Sequence, residues 1–133
     1  MNLKKINLLC MISGVVNEVE VHLINDAKCI MKVFIQDERQ LSAEGDDFFE
    51  CFKKIRELEK GIVYYCKGAK LNVIPSRMTR QMSKGLSAYE TTLGVPARKE
   101  NLVNIFDYED KGLSSDPAEQ DEYEAKWFSS LSN

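Results

Sequence analysis

The chain has 133 residues, 44% of them hydrophobic and 29% charged, with 18 Lys and Arg against 21 Asp and Glu for a formal net charge of -3. That is the size and balance of one globular domain with a core of its own, spanning 1–133. Seven Gly and three Pro are too few for a collagen-like or low-complexity chain, and no apolar run approaches the ~20 residues of a membrane-spanning helix.

Lys4 and Lys5 followed by INLLCMISGVV have the outline of a secretory signal. However, Asn7 interrupts the apolar stretch, no A-x-A-like site follows, and Leu9 stands before Cys10 where a lipoprotein signal has a small residue. The apolar pattern runs on into VNEVEVHLI, so the segment reads as a first core strand and the expected location is the cytoplasm. Residues 6–12 and 16–24 form two β-branched runs, and the second alternates Val19, Val21 and Leu23 with Glu18, Glu20 and His22, the mark of a strand with one wet face. Asn25 and Asp26 supply a turn, CIMKVFIQ at 29–36 a third strand, and QLSAE at 40–44 a fourth of an antiparallel meander.

DDFFECFKKIRELEKG is the clearest helix. Asp47 is placed to cap it, Glu50 to complete a capping box and Gly61 to stop it. Phe48, Cys51, Phe52, Ile55 and Leu58 share one face, which leaves Lys53, Lys54, Arg56 and Glu57 toward solvent. A strand at 62–66 follows, with KLNVI at 70–74 as its partner or extension. From Pro75 the chain is polar, with a short helix expected over Arg77 to Lys84, Met78 and Met82 as core filler, and a second helix over LSAYETTL. NLVNIFDY at 101–108 suits a strand or a helical turn equally, since short apolar runs do not separate by period. Asp116, Pro117 and Glu119 mark the start of a last helix with a second capping box, and Tyr123, Trp127, Phe128 and Leu131 are its expected buried face. The fold class is therefore α+β, an antiparallel sheet of about five strands packed with a central amphipathic helix and a C-terminal helix.

Cys10, Cys29, Cys51 and Cys66 lie among apolar neighbours with no C-x-x-C pair, and the chain has one histidine. The expectation is buried free thiols, with no metal site and no cofactor. His22 alternates onto the wet face of its strand, and neither a nucleophile elbow nor a phosphate loop can be drawn, so catalysis is not expected.

Charge is unevenly distributed. Residues 67–99 carry seven basic side chains against one acidic, and residues 100–133 carry two against nine. The basic stretch supports an alternative reading as a nucleic-acid-binding accessory protein, with Arg77, Arg80 and Lys84 on phosphates and Tyr89 stacking a base. Against it stand the acidic total, the lack of a recognised nucleic-acid motif, and the expectation that Arg77 and Arg80 pair with Asp107, Glu109 or Asp110. The acidic tail, with Tyr108 beside Asp107, Glu109 and Asp110 and with Asp116 and Glu119 on the last helix, instead suits a basic protein partner.

The run NVIPSRMTRQMSKGLSAYETTLGVPARKENLVNIFDYED at 72–110, with NEVEVHLIN near the start, resembles small enterobacterial immunity proteins of contact-dependent growth inhibition and related polymorphic toxin systems. The resemblance implies a cytoplasmic, cofactor-free protein that binds a cognate toxin domain one to one and blocks its active site or substrate surface; the expected state of the chain itself is a monomer or weak dimer. Many such toxins are basic nucleases, which fits the acidic face. No functional residue carries over by motif.

Overall fold

A computed structural model describes residues 2–36 and 38–132. Four long strands, β1 (Asn2–Ile12), β2 (Val15–Asn25), β3 (Cys29–Ile35) and β4 (Arg39–Gly45), form the expected meander, and the short β5 (Val63–Tyr64) joins beyond β1. The order β4-β3-β2-β1-β5 is antiparallel throughout. Because side chains alternate, Leu8, Cys10, Val19, Val21, Leu23, Met31 and Val33 all fall on one face, where α1 (Phe48–Leu58) covers them with Phe48, Cys51, Phe52 and Ile55. The four cysteines are free and buried, and burial pushes the Cys10 thiol up to about 11 and those of Cys51 and Cys66 up to about 12, which keeps them protonated and unreactive.

The helix departs from the sequence reading at both ends and along one flank. Asp47 accepts from the Glu50 amide at 2.8 Å, as expected, but the Glu50 carboxylate reaches back to the amide of Asp46, not Asp47. The helix ends at Leu58, with Glu59 extended after it, and Gly61 lies beyond in a turn without positive φ. Leu58, expected inside, is 59% exposed, whereas Arg56, expected outside, is only 1% exposed. Arg56 is four residues beyond Phe52 and seven beyond Phe49, both buried, so helical spacing sets it on a second buried flank where its length reaches neighbouring elements.

The 62–66 strand shrinks to β5, and residues 70–74 do not extend it. Instead β6 (Val73–Ile74), β7 (Ser87–Glu90) and β8 (Leu102–Asn104) make a second, three-stranded antiparallel sheet in the order β6-β7-β8. The helix expected over LSAYETTL is thus strand β7, while α2 (Arg77–Met82) forms as read, capped by Ser76, whose hydroxyl accepts from the Thr79 amide. A small core of Phe49, Val73, Ala88 and Ile105 joins this sheet to the flank of α1.

The last helix, α3 (Pro117–Ser130), begins at the Asp116 cap. Glu119 does not close a box there; its carboxylate accepts from the Ser114 hydroxyl at 2.5 Å. Trp127 is buried, with its indole N–H donating to the carbonyls of Thr92 and Val95, and Tyr123 and Leu131 are half-buried. Phe128 lies one residue round the helix from Trp127 and is 57% exposed.

Candidate functional site

The acidic candidate residues lie on the segment after β8, which docks along β5 and a 3-10 turn at Lys67–Ala69. The Lys67 amide donates to the Asp107 carbonyl at 2.8 Å, the Gly68 amide to Ile105 at 2.7 Å, and the Glu109 amide to Tyr65 at 3.3 Å. Residues on both sides of Tyr108 are therefore held by backbone. Its side chain is nonetheless 61% exposed, leaning on Tyr65 with ring centroids 6.4 Å apart, and Asp107 and Asp110 beside it are also exposed.

Glu109 points the other way. Its carboxylate accepts from Lys70 at 2.8 Å and Lys67 at 3.0 Å, and from the amides of Asp110 and Lys111. Glu90 on β7 completes the square, 2.9 Å from Lys67 and 3.0 Å from Lys70. The two ammonium groups hold the Glu109 carboxyl down at about 2 and lower that of Glu90, and both lysines are raised in return. Since the folded state then binds the carboxyl protons less readily, and the ammonium protons more readily, than the unfolded chain does, the network's stabilisation is full between about pH 4.5 and pH 10.5, is lost as the pH falls toward 2, and is lost again as the lysines deprotonate. Replacing Glu109 with Gln is expected to cost about 2 kcal/mol at neutral pH and to flatten the acid limb of a urea-unfolding series between about pH 5 and pH 2. An unchanged limb would show that the ion square adds nothing to stability.

Asp116 and Glu119 serve the start of α3, with Asp116 as its cap 3.9 Å from Lys60. Of the six acidic-face candidates, Asp107, Tyr108 and Asp110 are presented outward on one loop, and Glu109, Asp116 and Glu119 have structural partners.

The basic stretch does not assemble into one cationic face. Lys67 and Lys70 are occupied by Glu90 and Glu109, and Arg80 binds Asp47 at 2.8 Å while lying over the Phe49 ring. The pairing expected between Arg77 or Arg80 and the tail acids is therefore replaced by Lys67 and Lys70 on Glu109 and by Arg80 on Asp47. Arg77 and Lys84 stay exposed and form no salt bridge with another described residue. They border a broad groove of about 810 Å³ that also contains Asp46, Asp47, Glu50 and Glu124, an unfavourable lining for a polyanion. Around Pro75–Arg77 this groove meets a cleft of about 370 Å³ lined by Tyr89, Trp127 and Phe128. Tyr89 is half-buried there. Met78 and Met82 are not core filler: they are 53% and 83% exposed on the outer side of α2.

His22 is held rather than free, with Nε2 2.6 Å from Glu20 and its ring against Phe34 at 4.5 Å. Among the described residues no group of three or more His, Cys, Asp or Glu is placed to hold a metal ion, and no helix is long and apolar enough to cross a membrane. Sequence reasoning missed Arg56, Glu90 and the aromatic cleft. Only Arg56 had a local signal, its spacing from Phe49 and Phe52. Neither a family model nor a curated protein matches the chain.

Proposed function

We propose that this chain is an immunity protein, which binds a cognate bacterial toxin domain and neutralises it by covering the active site or substrate surface. The observation that carries the reading is Tyr108, a large aromatic held outward by backbone bonds on both sides and flanked by exposed Asp107 and Asp110. An aromatic anchor whose ordering cost is met before binding, ringed by charge, is the usual make-up of a protein-binding hot spot. Asp107 and Asp110 steer a basic partner, and the carboxylates in the groove beside Arg77 and Lys84 weigh against the nucleic-acid alternative.

The test is capture of the tagged protein with its partner from the cells that make it, with and without nuclease. A stoichiometric protein that survives nuclease and is toxic when expressed alone supports the reading; RNA or DNA lost with nuclease overturns it. With that partner in hand, Tyr108→Ala is expected to weaken the complex by about 30-fold or more through faster dissociation. Asp107→Lys with Asp110→Lys is expected to slow association and reduce its salt dependence. Glu109 is left unchanged in this pair because reversing it would break the square with Lys67 and Lys70. Stopped-flow measurement at two salt concentrations separates the effects, and an unchanged rate and salt slope would remove the acidic face from the site.

A further inference from the structure

β1 is paired along its whole length on one side only. Asn2 to Ile12 face Asn25 to Val15 of β2, whereas on the other side β5 covers only Cys10 and Met11, and the Tyr65 amide donates to the Leu9 carbonyl at 2.9 Å. Backbone groups alternate in direction along an antiparallel strand. The N–H and C=O of Leu3, Lys5 and Asn7 therefore point to the same side as the Leu9 carbonyl, where none of them donates to or accepts from another described residue. The edge of β4 differs, since the Glu44 carbonyl accepts from Lys54 Nζ. Beside the open part of β1 lies a cleft of about 180 Å³ lined by Lys4, Ile6, Leu86, Asn104, Phe106 and Asp107. Unpaired backbone supplies affinity for an extended segment, and an adjoining cleft seats its alternate side chains.

We propose that the open edge of β1 takes an extended segment of the partner protein as an added strand, with apolar side chains toward the cleft and acidic ones toward the outer face. This rests on the reading that a protein partner docks at Tyr108, because Asp107 forms part of the cleft wall. The acidic preference follows from register: Lys5, opposite His22 of β2 and between Leu3 and Asn7 on the outer face of β1, is the charged side chain that an incoming strand lies beside there. A second copy of β1 fits poorly. Antiparallel self-pairing through the outward groups sets Lys5 against Lys5 or Lys4 against Lys4, and the next register brings Leu3 against Leu9, whose edge Tyr65 occupies.

The probe is a capped seven-residue peptide alternating Glu and Val, followed by amide exchange in NMR spectra of the whole protein. Without peptide, the amides of Lys4, Ile6 and Leu8, which face β2, are expected to be protected, while those of Leu3, Lys5 and Asn7 exchange freely. Saturating peptide is expected to slow the latter three about tenfold or more, and the same peptide N-methylated on its β1-facing nitrogens is expected to do nothing. Equal effects of the two peptides, or binding that leaves the three amides unprotected, overturn the proposal. Lys5→Pro removes one outward donor and leaves the ladder to β2 intact. With a thermal midpoint close to that of Lys5→Ala, it is expected to lose the peptide, which Lys5→Ala binds more weakly but still with its outward amides protected; retention by Lys5→Pro overturns the added strand. With the captured partner, loss of binding in Tyr108→Ala but not in Lys5→Pro overturns the added strand alone, and the reverse overturns the Tyr108 site alone.

Discussion

Replacing Arg56 with Ala is expected to cost about 4 kcal/mol of stability, the largest loss from any single side chain in α1, and to loosen α3 first. The guanidinium is buried with no carboxylate of another described residue in salt-bridge contact. It donates to the Gln120 side-chain carbonyl at 2.5 Å and the Ser114 carbonyl at 2.8 Å, and it lies over the Phe52 ring with 5.4 Å to the centroid. Desolvation pulls its pKa down to about 10, still high enough to keep it charged at neutral pH. Its charge is balanced by carbonyl dipoles from the loop before α3 and by Gln120, whose amide in turn donates to the carbonyls of Gly68 and Lys70. Arg56 thus ties α1, the 67–69 turn and α3 through one side chain. Truncation leaves a cavity and two buried acceptors without donors, each orphan costing about 1–3 kcal/mol. Arg56→Lys is expected to recover little, because an ammonium cannot reproduce the planar fork. Urea unfolding with a double-mutant cycle against Gln120→Leu checks this, with a coupling of about 1 kcal/mol or more expected. A loss under about 1 kcal/mol for Arg56→Ala would make the side chain a passenger in its pocket.

Arg56 also marks where sequence reading failed. The four-strand meander, α1 and the start of α3 were legible because period-two alternation at Val19, Val21 and Leu23 and caps at Asp47 and Asp116 are local signals. A charged residue within a polar run such as KKIRE reads as solvent-facing unless its spacing from Phe49 and Phe52 is weighed more heavily than its charge. The second sheet was hidden for a different reason. β6, β7 and β8 are two to four residues long, too short to show a period, and Ser87–Glu90 becomes a strand only because Val73–Ile74 and Leu102–Asn104 flank it. At the candidate site, the cluster of Asp107, Tyr108 and Asp110 was visible as composition. The turning-in of Glu109 was not, because its partners Lys67 and Lys70 are 42 and 39 residues away. The exposed Met78 and Met82 show the converse, apolar residues at helical spacing on a helix whose outer side is left exposed.

Gly85→Ala is expected to be the most damaging glycine substitution, at about 3 kcal/mol, and Gly94→Ala separates its two causes. Both glycines have φ near +80°, at +76° and +80°, so each substitution carries the ~1 kcal/mol cost of a left-handed backbone for an L side chain. At Gly94 an added Cβ meets nothing within 4 Å, whereas at Gly85 it falls 2.7 Å from Asp47 Oδ1 and 2.8 Å from the Phe49 backbone nitrogen. Neither neighbour is free to yield. Asp47 caps the Glu50 amide and binds Arg80, and the Phe48 amide donates to the Lys84 carbonyl at 2.7 Å, clamping the loop onto the first turn of α1. The close approach is what positions α2, and with it Arg77 and Met78, beside the start of α1. The difference between the two substitutions in thermal or urea unfolding, about 2 kcal/mol, is therefore the cost of prising the 83–86 loop from the helix. Equal losses at the two positions would mean that the start of α1 gives way freely, and the groove between α1 and α2 would then be pliable rather than fixed in shape.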